Sequence, residues 1–255
     1  MPVFELEEMT FEEVDKLSRD DTLVMLPMGP LEAHGPHLPL GVDIRGSIVL
    51  TRLAADLLSE RGYTVAIAPV IPYTISNAAM PFAGTVTLSR PTIVALVQDV
   101  AKSFARHGFK RLVVNCHHLE RPNLAALREA AEGAREFAIS VLVSNAILDS
   151  LPECAPLMKG EHPELDFHAG ESETSFFLWK FPEEVRARYR DLPPNWSNLR
   201  EKFAAGAKDF KEADGPECYF GDPAKGDAQL GEKLCTIQAG ILADEIDNWV
   251  KRTAE

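Results

Sequence analysis

Between Pro27 and Asp43 the chain reads PMGPLEAHGPHLPLGVD, and four of its side chains, Glu32, His34, His37 and Asp43, can each bind a metal ion. Two later stretches repeat the mixture of imidazole and carboxylate: Cys116-His117-His118-Leu119-Glu120, and the run HAGESE from His168 to Glu173. Histidine with Asp and Glu, and no cysteine ligand, suits Zn²⁺, Mn²⁺ or Fe²⁺. Three carboxylates and two or more histidines exceed what one tetrahedral zinc site needs. They suit two ions about 3.5–4 Å apart that share a carboxylate. Such a pair polarises a carbonyl and turns bound water into a hydroxide nucleophile near neutral pH.

Residues of this kind are useful only where the fold delivers them to one place. Glu32 and His34 follow an apolar run, TLVML (Thr22 to Leu26), that reads as a buried strand. In an extended segment positions i and i+2 point the same way, so both side chains face one site. Asp43 starts a helix with apolar periodicity from about Ile44 to Arg61, where backbone N–H groups favour an anion. A second strand, RLVVN (Arg111 to Asn115), ends directly before the His117-His118 pair. The HAGESE run closes a long connection, Leu151 to Gly170, and opens a short buried helix at ETSFFLWKF; a connection of that length inside a compact domain is usually functional.

The remaining elements complete an alternation of strand and helix. Thr10 to Glu13 is a capping box, TVAIAPVIPYT (Thr64 to Thr74) is strand-like, and GTVTL (Gly84 to Leu88) reads as a short edge strand. Ser89 caps a helix that ends near His107, Pro122 to about Phe137 is helical, SVLVSNA (Ser140 to Ala146) is a strand, and the last helix spans about Ala228 to Arg252. Strands alternating with amphipathic helices predict an α/β fold with three α/β/α layers and a mostly parallel central sheet. In such sheets ligands sit outside the carboxyl ends of the strands, which is where the His, Asp and Glu clusters fall. No repeat or linker divides the chain, so residues 1–255 are read as a single domain.

Composition narrows the function. A formal net charge of -13 argues against a nucleic-acid or anionic-membrane partner. No apolar run approaches the roughly 18 residues of a membrane span, and MPVFELEEMTFEE lacks the basic and apolar regions of a signal peptide. Cys116, Cys154, Cys218 and Cys235 form no CxxC pair and read as free thiols, which suits the cytoplasm. Single histidines have ordinary explanations elsewhere: His107 before Gly108 is a helix C-terminal cation, and His162 is a loop residue.

Five segments, in order from Leu26 to Pro223, resemble the creatininase (creatinine amidohydrolase) family: LPMGPLEAHGPHLPLGVD, GTVTLS, VVNCHH, HAGESETS and FGDP. The resemblance implies a three-layer α/β/α hydrolase with two divalent ions per subunit, a small-molecule substrate and a homo-oligomer, often a hexamer. By position Glu32 resembles a ligand of one metal, His34 a ligand of the other, Asp43 the bridging carboxylate, and His117 the histidine after the strand. Creatinine-cleaving members place a Glu two residues beyond that histidine. Here that position is Leu119 and Glu120 is one further on, so His117 is read with Glu120, and His118 is held as the alternative. His168 and Glu173 match the active-site His and Glu of the HAxxxETS motif, with His168 as the proton shuttle. Members open the cyclic amide of creatinine, deformylate a formamidopyrimidine, trim a peptide or hydrolyse an inosose ketone. The expected reaction is metal-assisted hydrolysis of a small cyclic or formyl amide. Its alternatives are C–C cleavage of an inosose on the same site, and non-catalytic binding of a small molecule.

Overall fold

The computed structural model describes residues 1–253. In chain order it forms β1 (Val3–Glu5), α1 (Phe11–Asp15), β2 (Thr22–Met28), α2 (Val42–Glu60), β3 (Thr64–Ile67), α3 (Arg90–Arg106), β4 (Arg111–Cys116), α4 (Arg121–Ala134), β5 (Ser140–Val143), α5 (Ala146–Cys154), α6 (Glu171–Lys180), α7 (Leu199–Ala204) and α8 (Ala228–Thr253). The five strands form one sheet in the order β1-β3-β2-β4-β5, with every pairing parallel.

Strand β2 shows why the sheet carries helices on both faces. All seven of its residues are buried. Its side chains alternate across the pleat: Val24, Leu26 and Met28 pack with Ile93 and Val97 of α3 and Leu127 of α4. Leu23 and Met25 pack with Leu50 and Leu58 of α2 and Leu242 and Ile246 of α8. The result is the three-layer arrangement expected for a parallel sheet. Register then sets the site. Pro27 pairs with Asn115 and Met28 with Cys116, so β2 and β4 end level and their following loops emerge side by side.

Ser47 of α2 ties the two ends together. Its Oγ donates to the Met28 carbonyl and accepts from the His117 N–H at 2.9 Å. One residue earlier, a side chain at Gly46 would lie 2.6 Å from the His117 ring, so only glycine lets that imidazole rest against the helix.

Three local expectations are corrected and one element is added. GTVTL is not a strand: Val86 N–H donates to the Leu31 carbonyl and Leu88 N–H to that of Thr74, so this segment braces the loop that carries Glu32 and His34 instead of pairing in the sheet. The strand begun at Thr64 stops at Ile67, because Pro69 and Pro72 have no N–H to donate. The start of the long connection is helical, since α5 runs to Cys154 through Pro152. Finally β1, three residues on the sheet edge, has no counterpart in the sequence reading. All four cysteines are free and buried. No helix among the described residues is long and apolar enough to cross a membrane.

Candidate metal centre

At the carboxyl ends of β2 and β4, Glu32, His34, Asp43 and His118 are buried, with His117 beside them. Asp43 sits in the first turn of α2 and Glu173 in the first turn of α6. Three sets of donor atoms lie close enough to share an ion: Glu32 with Asp43 and His118; Asp43 with His117 and Glu173; His34 with His168 and Glu173. Asp43 belongs to two of these sets and Glu173 to two.

The separations fit a common cation better than direct hydrogen bonds. Asp43 Oδ2 is 3.5 Å from His34 Nε2 and 3.8 Å from His118 Nδ1, and Oδ1 is 3.6 Å from His117 Nδ1. Glu173 lies 3.7 Å from His34 Nε2 and 3.9 Å from His117 Nδ1. Hydrogen bonds to carboxylates are shorter. Two donors each about 2.1 Å from a tetrahedral ion sit roughly 3.4 Å apart.

Both Glu32 oxygens, His34 Nε2, Asp43 Oδ2, His117 Nδ1 and His118 Nε2 are buried without a hydrogen-bond partner among the described residues. His118 Nδ1 does approach Glu32 Oε2 to 2.9 Å, but out of hydrogen-bond alignment, so Glu32 keeps both oxygens free. Buried polar atoms left unpaired are rare and costly, and most of these face one cluster, while His118 Nε2 faces Glu120. The residues therefore fit a metal, and their His/Asp/Glu chemistry suits Zn, Mn or Fe.

Neighbouring contacts set the imidazole tautomers. His34 Nδ1 is 3.0 Å from the Glu32 carbonyl, which can only accept, so Nδ1 carries a proton and Nε2 is the nitrogen left to face the carboxylates, protonated there or, in the neutral ring, free to bind an ion. His168 Nε2 donates to the Ala33 carbonyl at 2.8 Å, which leaves Nδ1 as its free nitrogen. The His168 ring lies 4.1 Å from that of His34, centroid to centroid.

Charge in the cluster is strongly coupled. Burial disfavours a charged His34, yet Asp43, Glu173 and Glu32 outweigh it and push its pKa up to about 10. His118 is raised in the same way by Glu32, Glu120 and Asp43 against its own burial. Burial and the neighbouring His34 push His168 down to about 3. Glu173 is buried, but His34, His168 and His117 hold its carboxyl well below the usual range. The carboxylates thus call for positive charge, which protons supply when no metal does.

Glu32, His34, Asp43, His117, His118, His168 and Glu173 come together here, whereas His37 belongs to none of the three sets and its Nε2 lies 2.9 Å from Thr174 Oγ1. Glu120, read with His117, lies beside His118 instead; His118 also faces Glu32, while His117 faces Asp43 and Glu173. Glu120 stands behind His118, its Oε2 3.6 Å from His118 Nε2, and also accepts the Ala78 N–H at 3.3 Å; it belongs to none of the three donor sets. Asp166 went unremarked in the sequence. It accepts the N–H groups of Glu171 and Ser172 at 2.6 and 3.2 Å and so caps the start of α6. Its position two residues before His168 was the available signal.

Above the cluster lies a cavity of about 100 Å³. Asp43, His117 and Glu173 line it on one side, and Ile147, Leu151 and Phe176 supply apolar wall.

Fold and site together define a three-layer α/β/α protein with a candidate metal centre at the carboxyl ends of its strands. The creatininase family, described as creatinine amidohydrolase, matches residues 7–246. The creatinine amidohydrolase of Pseudomonas putida is 30% identical over 206 residues, 73% of this chain and 76% of that protein. A mycofactocin precursor peptide peptidase of Mycobacterium tuberculosis is 27% identical over 242 residues, 91% of this chain and 84% of its own. The 3-dehydro-scyllo-inosose hydrolase of Thermotoga maritima is 30% identical over 182 residues, 69% of this chain and 55% of its own. Among solved structures, a manganese creatininase superposes with a TM-score of 0.74 at 23% identity, covering 98% of this chain and 99% of its own. A Zn–Zn creatininase mutant superposes with a TM-score of 0.75 at 23% identity over the same shares. The chain belongs to the creatininase family of metal-dependent amidohydrolases.

Proposed function

We propose that this chain holds two divalent ions and hydrolyses the carbonyl–nitrogen bond of a small cyclic or formyl amide. The observation that carries this reading is the position of Asp43, whose two oxygens face different histidines. Glu32, His118 and one Asp43 oxygen would hold the first ion. His117, Glu173 and the other Asp43 oxygen would hold the second, with His34 reaching it beside Glu173 and Glu120 orienting His118 from behind. When bound, such ions polarise a carbonyl and lower the pKa of a bound water.

The protein's own groups supply the rest. Apolar residues Ile147, Leu151 and Phe176 exclude water and pack a flat substrate against the donors. His168 is fixed by the Ala33 carbonyl and offers Nδ1 for a proton to be carried to the departing nitrogen. The apolar wall favours an amide over a polyhydroxylated inosose, whose hydroxyls would lose their hydrogen bonds there. The family resemblance and the free cysteines support a single domain over residues 1–255, a cytoplasmic setting and a homo-oligomer.

Turnover of a panel tests the reading. Chain reconstituted with Zn, Mn or Fe should hydrolyse members of a set of cyclic and N-formyl amides, and chelation should abolish the activity. Turnover of inososes alone would transfer the reaction to C–C cleavage. Turnover of neither, with metal bound, would leave a binding protein.

A further inference from the structure

Helix α8 carries a ladder at every fourth position: Leu230, Leu234, Gln238, Leu242, Ile246 and Val250, all buried. Five rungs are aliphatic, and Gln238 is the polar exception. It is 8% exposed, and among the described residues its carboxamide makes no hydrogen bond. The row is not one face: Leu230 and Leu234 pack in one cluster and Leu242, Ile246 and Val250 in another, and the Gln238 carboxamide between them stays accessible instead of being sealed in the packing. Gln238 lines the cavity over the metal centre, together with Asp43, His117 and Glu173.

We propose that Gln238 is the group that reads the substrate, pairing with an amide-type edge on the part of a small ring away from the reacting carbonyl. This rests on the amidohydrolase reading above. The glutamine carboxamide offers Nε2–H and Oε1 side by side in one plane. A ring holds an amide cis, so its N–H and C=O also lie side by side and match both atoms. An open-chain amide is trans, with the two groups pointing apart, and can match only one. At about 100 Å³ the cavity is well below the roughly 300–1,000 Å³ of pockets that take drug-sized ligands, so its size also favours a small ring. The selected class is a compact cyclic ureide or imide with one carbonyl for the metals and a second cis edge for Gln238.

The test uses metal-reconstituted full chain, titrated calorimetrically with hydantoin as the ring and with N-acetylglycine methylamide as the open-chain control. Gln238→Leu and the volume-matched Gln238→Met should weaken hydantoin binding about 10- to 100-fold, as loss of a buried paired amide implies. Metal content should be unchanged, and the melting temperature should hold. The open-chain amide should bind weakly to all three proteins. Hydantoin binding equally tight in the variants, or absent in the wild type, overturns the inference. A fall in melting temperature with binding intact assigns Gln238 to packing and overturns it too. Hydantoin that binds through Gln238 without being cleaved leaves the inference standing and counts against the hydrolytic reading instead.

Discussion

The two ends of the central strands differ in how their charged groups are placed: half-exposed arginines at the amino end, where among the described residues Thr22 Oγ1 alone is buried without a partner, and a buried cluster at the carboxyl end. At the amino end, Arg19 donates to the carbonyls of His107, Val14 and Leu17 at 2.8, 2.6 and 3.0 Å and lies over the Phe109 ring. Arg111 donates to the Asp20 carbonyl at 2.6 Å. One cation there satisfies several acceptors. At the carboxyl end of the same strands, carboxylates and imidazoles are buried together and left unpaired. Left so, that end would be a net cost to the fold, since desolvated charge without a partner is destabilising. The difference teaches where the chain is set for a partner it does not encode: arginine serves one end, and the other calls for positive charge, which the proposed ions would supply.

If that contrast is right, substitutions at the two ends should separate activity from stability. The largest effect belongs to Asp43→Asn. Losses of about 10–100-fold are usual for residues that merely orient a metal ligand, and a shared ligand should cost more. Activity should drop by at least ~10³-fold and metal content should fall. Normal turnover with full metal would remove Asp43 from the shared position.

His168→Ala comes next. A positioned histidine typically contributes about 10²–10⁴-fold, so kcat should fall in that range while both ions stay bound. Unchanged kcat, or a loss confined to stability, makes His168 a structural residue held by the Ala33 carbonyl.

Chelated protein should also respond to pH in a predictable direction. His34 is held protonated up to about 10 in the fold, against an ordinary value of 6.5. Its contribution to stability is complete below 6.5 and disappears as pH rises toward about 10. His118 acts in the same direction, and His168, pushed down to about 3, adds no slope in that window. The denaturation midpoint of chelated protein should therefore fall across this range, and metal, by replacing the protons, should flatten the slope. A chelated profile that does not fall contradicts the coupling.

The smallest functional effect is expected at the opposite end. Arg19→Ala should cost about 1–3 kcal/mol of stability, the value of charged hydrogen bonds to backbone carbonyls, with kcat and metal content unchanged. Denaturant melts beside steady-state kinetics separate the two quantities.

Much of this was legible in the sequence because it was local. The β2 run, the capping box at Thr10 and the Ser89 cap depend on residues within a few positions of one another, and the structure shows each of them. Family motifs placed all three donor clusters at strand ends or helix starts. What the sequence left open was pairing across the fold. Whether His117 or His118 meets Glu32 depends on how the chain turns after Cys116, and adjacent residues can point either way. That Glu173 reaches His34 and His117 depends on Asp166 and the N-terminus of α6, elements far apart in sequence from β2. Strand β1 escaped notice because three half-buried edge residues carry almost no pattern. Gln238 was visible as a break in a four-residue period, but only the cavity gave that break a meaning.

Metal stoichiometry tests the central claim most directly. Elemental analysis of chain reconstituted with Zn, Mn or Fe and freed of excess ion should give two divalent ions per chain, with Asp43→Asn in parallel losing at least one. A single ion, or no more than a trace, would contradict the account.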